Sequence, residues 1–200
     1  MNPFTQPVTL TGTYAKLEPL SHDHYDDLVA ATRDGELWRL WYTSVPSPDG
    51  MSTEIERRLA LQQAGSMLPW AVRDLARDKV IGMTTYMNID ATHRRVEIGS
   101  TWYAKSAQRT PINTECKLML LKHAFETLSC IAVEFRTSFF NHASRRAIER
   151  LGAKQDGILR SHQRHADGSL RDTVVFSIIA SEWLAVKQHL QFKLGHHSLG

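Results

Sequence analysis

Apolar and polar residues alternate along this chain in two rhythms. A period of two, typical of strands that are half-buried in a sheet, recurs in short runs bounded by Gly, Asp, Asn or Pro. A helical spacing of apolar residues occupies most of the chain between these runs. The predicted strands are residues 9–17, 70–75, 80–88, 96–103, 131–137, 157–165 and 170–179. The predicted helices are residues 22–32, 52–64, 112–128, 142–151 and 181–192.

The order of these elements indicates a fold class. One strand and two helices come first, and three strands then form an antiparallel meander. A helix, a strand and a second helix follow, before a hairpin and a last helix. This order predicts an α+β fold with a mixed, mostly antiparallel sheet of six to seven strands and helices on both faces. The helix at residues 112–128 is apolar around much of its circumference, so we expect it to lie against the sheet.

Composition indicates one ordinary globular domain. The 200 residues are 42% hydrophobic, which suits a single domain over residues 1–200. The net charge of +3 results from 24 basic and 21 acidic residues that are well mixed, and this balance argues against a nucleic-acid partner. No window approaches about 18 consecutive apolar residues, so no membrane span is expected.

The cysteine and histidine residues do not predict a metal site. Neither cysteine has metal-ligand spacing, and no secretory segment is recognisable, so we expect reduced thiols in a cytoplasmic protein. The pairs His22-Asp-His24 and His196-His197 lack further ligands at a suitable spacing. We therefore predict no bound metal.

A turn between a predicted strand and the longest helix is the strongest candidate for chemistry. Residues 108–113 follow the strand at 96–103 and open the helix at 112–128. The first backbone N–H groups of a helix have no partner within it, and the helix dipole makes this end positive. The turn therefore predicts an anion site that suits a phosphate. An alternative needs no ligand, because Thr110 can be the N-cap of this helix and Pro111 its first residue.

A second motif, Asn141-His-Ala-Ser144, opens the helix that follows the next strand. A strand, a phosphate turn, a helix, a strand and an Asn-x-x-Ser helix in this order resemble the GNAT acetyltransferase superfamily. Within it, the chain is most similar to the Rim-type branch, which acetylates the N-termini of ribosomal proteins. The segments that carry the resemblance are residues 96–99, 113–117, 141–153, 156–157 and 171–177.

The resemblance implies a GNAT-like fold and acetyl-CoA as co-substrate. Gln108 matches the first position of the family's phosphate turn, while Pro111 and Asn113 stand where the family has glycine. The resemblance further implies that Asn141 hydrogen-bonds the pantetheine arm of the coenzyme. The residues that it assigns to coenzyme binding are Gln108, Arg109, Thr110, Ile112, Asn113, Thr114, Asn141, Ser144 and Arg146.

The same resemblance assigns two residues to catalysis. Glu97 lies on the strand before the phosphate turn, on the same side as Gly99, and would remove a proton from the attacking amine. Ser144 would protonate the departing thiolate. A backbone N–H near residues 99–101 would stabilise the oxyanion.

Each of these residues also has a purely structural interpretation. Glu97 would be a surface carboxylate paired with Arg94 or Arg95, and Ser144 would be a small surface residue. Asn141 would be a helix N-cap, which is compatible with binding the coenzyme. Arg145 and Arg146, the basic residues that follow Ser144, would form a solvated face of the helix.

Three aromatic residues in the loop after the first helix are candidates for acceptor binding. Trp38, Trp41 and Tyr42 would form the mouth of the acceptor site, because large amphipathic rings supply contact area and keep a polar edge free. Their alternative role is to anchor the loop onto the core.

The predicted function is the transfer of an acetyl group from acetyl-CoA to a primary amine, which attacks directly in a ternary complex. The Rim-type resemblance implies a protein N-terminal α-amine, and small-molecule amines stay open because a fold alone does not select an acceptor. The alternative is a non-catalytic acyl-CoA-binding or regulatory module, since both glycines of the phosphate turn are replaced. The predicted partners are acetyl-CoA and an amine, and the sheet edge at the last hairpin could serve as a homodimer contact.

Overall fold

The structure is a computed structural model that describes residues 2–165 and 167–197. The side chains of His196 and His197 lie outside the described part, so the sequence argument about this pair stands alone. The strands are β1 (Leu10–Thr11), β2 (Ala15–Pro19), β3 (Leu68–Asp74), β4 (Lys79–Asp90), β5 (Arg95–Tyr103), β6 (Ala132–Ser138), β7 (Lys154–Arg164) and β8 (Leu170–Ile179). The helices are α1 (Tyr25–Arg33), α2 (Met51–Gln63), α3 (Pro111–Lys122), α4 (His142–Glu149) and α5 (Trp183–His197).

All eight strands form one sheet in the order β1-β2-β3-β4-β5-β6-β8-β7. Neighbouring strands are antiparallel except for β5 and β6, which are parallel. The predicted α+β fold is therefore confirmed, with eight strands in place of six to seven. The difference arises because the predicted strand at residues 9–17 is a hairpin, with β1 and β2 paired across a turn that begins at Gly12.

Helices cover both faces of the sheet, as predicted. Arg58 of α2 donates a hydrogen bond to the Thr85 hydroxyl, whereas the next residue, Tyr86, donates its hydroxyl to the Leu120 carbonyl of α3. Successive side chains of a strand point to opposite faces, so α2 and α3 lie on opposite sides of β4.

Within the described residues, no helix is both long and apolar enough to cross a membrane.

Two irregularities of β5 open the sheet at its centre. Strands β5 and β6 pair only between Arg95–Glu97 and Ala132–Glu134, and beyond these three pairs they separate. On the other edge of β5, Met83 faces Trp102 and Thr85 faces Gly99, so Thr84 alone stands opposite two residues. This is a β-bulge, which bends a strand and leaves backbone groups outside the ladder. The separation and the bulge place a cleft between β5 and β6.

Candidate active site

A cleft with a volume of about 810 Å³ lies where β5 and β6 separate. Its walls come from both strands, from α3 and α4, from the loop after α1 and from the β7–β8 hairpin. This volume is in the range of sites that bury a small molecule. Of the residues assigned from sequence, Glu97, Gln108, Asn113, Asn141, Ser144 and Tyr42 line it.

Glu97 is a buried carboxylate in the wall of this cleft, with only 5% of its surface exposed. Asn88 donates a hydrogen bond of 2.7 Å to its Oε2, and Arg136 Nε lies 3.5 Å from the same oxygen. Burial raises the pKa of Glu97 above its usual range, against the opposing effects of Asn88 and Arg136. The alternative of a surface carboxylate paired with Arg94 or Arg95 is wrong, because Glu97 is buried and its ion-pair partner is Arg136, while Arg95 pairs with Glu134.

Glycine at position 99 leaves room for this carboxylate. A Cβ atom on Gly99 would lie 2.7 Å from Met87 Sδ and 2.9 Å from Glu97 Oε1. Both distances are shorter than normal contacts, so any other residue would displace one of the two side chains. Glu97 and Gly99 therefore share one side of β5, as predicted.

The bulge in β5 is held by Arg58, which has 1% of its surface exposed. Its guanidinium donates to the Ser100 carbonyl at 3.1 Å, to Thr85 Oγ1 at 2.6 Å and to Glu54 Oε1 at 2.7 Å. Sequence reasoning missed this residue. The available signal was its helical spacing of three residues from the apolar Ile55, which places both on the buried face of α2.

Lys117 of α3 is a second buried cation that sequence reasoning missed. It lines the cleft with 6% of its surface exposed, and its ammonium donates a hydrogen bond of 2.9 Å to Thr101 Oγ1. Burial lowers its pKa to about 8. Among the described residues no carboxylate forms an ion pair with it. The signal in the sequence was a lysine at helical spacing from Asn113 and Leu120.

The predicted phosphate turn lies at the start of α3. The helix cap there is the one expected from the alternative interpretation, in which the turn needs no ligand. Thr110 Oγ1 accepts a hydrogen bond of 3.4 Å from the Ile112 N–H and donates one of 2.7 Å to the Ala107 carbonyl, with Pro111 as the first helical residue. Arg109 before it has a left-handed backbone, with φ of 61°.

The residues assigned to the phosphate turn do not all face one space. Gln108 and Asn113 line the main cleft. Thr110 and Ile112 line a separate hollow of about 380 Å³ beside the β1–β2 turn. Arg109 is exposed and Thr114 is buried, and neither lines these two cavities.

Asn141 and Ser144 open α4 at the edge of the cleft. Asn141 Oδ1 accepts a hydrogen bond of 3.0 Å from the Ser144 N–H, so the predicted N-cap is present. Both side chains still line the cleft, and Ser144 is half-buried. Arg146 is exposed outside the cleft lining, whereas Arg145 lies over the Phe139 ring and donates to its carbonyl.

The three aromatic candidates for acceptor binding occupy different positions. Tyr42 lines the cleft. Trp41 is 58% exposed and contacts the rings of Tyr42, Phe140 and His165 at centroid distances of 5.6, 5.5 and 5.8 Å. Trp38 lies outside the cleft lining, 5.0 Å from the Arg39 guanidinium. Trp41 lies outside the cleft lining and contacts rings from three loops.

The described side chains contain no group of three or more His, Cys, Asp or Glu residues placed to hold a metal ion. The absence of a metal from the function stays a prediction.

Comparison with known proteins identifies the family. Residues 15–154 match the family described as the acetyltransferase (GNAT) domain, and this range is well over half of the chain. A search of curated protein sequences gives no match. The chain belongs to the GNAT acetyltransferase family, and it is an acetyl-CoA-dependent acyltransferase.

Solved structures agree with this assignment. A GCN5-related N-acetyltransferase from Brucella melitensis is 31% identical, with a TM-score of 0.85 over 96% of this chain and 87% of that chain. RimJ of Mycobacterium smegmatis, in complex with CoA-disulfide, is 20% identical, with a TM-score of 0.80 over 96% of each chain. The microcin C7 self-immunity acetyltransferase MccE, in complex with acetyl-CoA and AMP, is 16% identical, with a TM-score of 0.73 over 84% of this chain and 93% of that chain. The last two share the fold, and RimJ agrees at that level with the Rim-type resemblance.

Proposed function

We propose that this protein transfers the acetyl group of acetyl-CoA to the nitrogen of a primary amine in a ternary complex. One observation carries this proposal: Glu97 is a buried carboxylate of raised pKa in the wall of the cleft that opens between β5 and β6. An amine that is protonated has no lone pair, so a nearby base must receive its proton. A base whose pKa is raised toward neutral pH suits this task.

The residues around the cleft fit an acyl-CoA thioester. Asn141 and Ser144 present polar side chains at the edge of the cleft, and Gln108 and Asn113 do so at the start of α3. We assign these four residues to the coenzyme, which supplies the activated acetyl group. Thr110, Ile112 and Arg109 would contact it only where it leaves the main cleft, since they lie outside the cleft lining.

Four groups of the chain contribute to the chemical step. Glu97 takes the proton of the amine as the N–C bond forms, and Ser144 supplies a proton to the sulfur as the C–S bond breaks. Solvent then returns a proton to Ser144 and takes one from Glu97. A backbone N–H of the bulge at residues 99–101 faces the oxygen on which negative charge develops. Lys117, bonded to Thr101, brings a positive charge to the same bulge and lowers the energy of that charge further.

A specific observation supports a second candidate function, an acyl-CoA-binding module without turnover. Pro111 lacks an N–H group, and the Ile112 N–H is directed to Thr110, so two of the first amides of α3 are withdrawn from an anion.

The two functions are separated by calorimetry with acetyl-CoA together with release of free thiol over a panel of amines. The panel contains small amines and short peptides with free N-termini, because both acceptor classes are open. Binding with amine-dependent thiol release supports the transferase. Binding without release on any amine supports the module, and no binding of acetyl-CoA or CoA contradicts both.

A further inference from the structure

Arg171 of β8 is a cation in the cleft that forms no ion pair within the described residues. It lines the cleft, its Nε is buried, and its side chain has no hydrogen bond or ion pair within the described chain. Burial lowers the pKa of this guanidinium. Arg171 as a whole is half-buried. A charge that is partly removed from water is costly unless it is paired, so an unpaired arginine in a cleft suggests that its partner is a ligand.

Arg171 lies on the same face of the sheet as the proposed base. Glu97, Glu134 and Ser177 are in register across β5, β6 and β8. Alternate residues of a strand point to one face, so Thr173 and Arg171 share the face of Ser177 and Glu97. This is the face that α2 covers, on which an acceptor amine must reach Glu97.

The other cations that line the cleft, Arg136 and Lys117, are not available to bind an anion on this wall. Arg136 is paired with Glu134 at 2.9 Å and lies 3.5 Å from Glu97. Lys117 comes from α3 on the opposite face. Glu97 lies near enough to raise the pKa of Arg171 electrostatically, against the lowering by burial, yet the two residues form no ion pair. Arg171 and Glu97 therefore lie on one wall of the cleft with a gap between them.

We propose that the acceptor is a small amine that also carries an anionic oxygen group, a carboxylate or a phosphate, which binds Arg171 while the amine faces Glu97. This inference rests on the proposed transferase function. A guanidinium binds either group through two parallel hydrogen bonds, so Arg171 would fix the distance between anion and amine. Thr173 and His162, joined by a hydrogen bond of 3.1 Å, line the same wall and offer further polar contacts.

The test measures binding by calorimetry to the full chain saturated with CoA, which does not react. The probes are ω-amino carboxylates of increasing length with their amides, and aminoethyl phosphate with ethanolamine. The wild-type protein should bind the best acid at least about 10-fold more tightly than its neutral twin. Arg171→Gln should remove this preference and leave binding of CoA and of the neutral twin unchanged, while Arg171→Lys should retain part of it. The carboxylate and phosphate series show which anion is preferred.

Arg164→Gln is the matched control, because Arg164 is an exposed arginine on the same hairpin and should behave as wild type. Equal binding of acid and neutral twin by the wild-type protein would overturn the proposal. So would an equal loss for both twins in Arg171→Gln, which would mean that Arg171 acts only through Glu97. Thiol release with neutral amines tests the transferase separately, so the anion site can fail while the proposed function stands.

Discussion

Replacing Lys117 by methionine should stabilise the fold and weaken the activity. Burial holds the pKa of Lys117 at about 8 in the folded protein, against an ordinary value of 10.5. At about 1.4 kcal/mol per unit, this difference is a penalty of roughly 3 kcal/mol for keeping the ammonium charged. Methionine has a similar volume and no charge. Thr101 keeps its hydrogen bond to Thr84, at 2.8 Å, so the substitution leaves no hydroxyl without a partner.

The pH dependence of this effect has a definite sign. Between pH 8 and 10.5 the unfolded lysine binds a proton that the folded lysine has lost, so the free energy of unfolding rises with pH. Below pH 8 the full penalty applies. The advantage of Lys117→Met over wild type should therefore be roughly 1–3 kcal/mol at pH 7 and should shrink as the pH approaches 10.

Urea unfolding of wild type and Lys117→Met at pH 7 and pH 9.5 measures this difference. Lys122→Met is the matched control, because Lys122 is exposed at the end of the same helix and should change little. Thiol release by Lys117→Met should fall by roughly 10-fold or more, since the bulge loses its nearby positive charge. A variant that is less stable than wild type at pH 7, or a difference that does not depend on pH, would refute the reasoning.

Substitutions at two further residues test the fold and the coenzyme site. Glu115→Ala should lower the free energy of unfolding by about 3–5 kcal/mol in urea, because its carboxylate accepts three backbone hydrogen bonds of 2.7, 2.7 and 2.8 Å from residues 13–15. A loss below about 1 kcal/mol, like that expected for the exposed Glu149→Ala, would contradict this. Asn141→Ala and Asn141→Ser should both weaken binding of acetyl-CoA by about 10-fold in calorimetry, whereas only alanine should cost about 1 kcal/mol of stability, since serine still caps α4. Unchanged affinity in both variants would remove Asn141 from the coenzyme site.

The order of helices and strands could be predicted from the sequence because each element carries its own periodicity. The alternation around Glu97 and Gly99 placed both on one side of β5, and the Asn-x-x-Ser motif predicted the cap of α4. These features depend on neighbours within a few residues. The local sequence pattern is therefore enough to predict them.

Features that depend on distant residues could not be predicted in this way. The turn between β1 and β2 is held by hydrogen bonds to the Glu115 carboxylate, which lies about a hundred residues further along the chain. The buried positions of Arg58 and Lys117 contradict the usual exposure of charged residues, and only the packed structure shows their partners. The bulge at Ser100 has a left-handed backbone, with φ of 47°, and the residue in this conformation is a serine and not a glycine.

The central claim is that Glu97 receives the amine proton in a cleft that binds acetyl-CoA, and Glu97→Gln tests it most directly. Glutamine keeps the acceptor for the Asn88 hydrogen bond, and Arg136 keeps Glu134, so little besides the base is removed. Calorimetry should give the wild-type affinity for acetyl-CoA, while thiol release with a saturating amine should fall by at least about 100-fold. In the wild-type protein kcat/KM should rise with pH through a pKa above that of an ordinary glutamate, and this rise should be absent from the variant. Turnover equal to wild type, or a pH profile that keeps the same rise, would contradict the account.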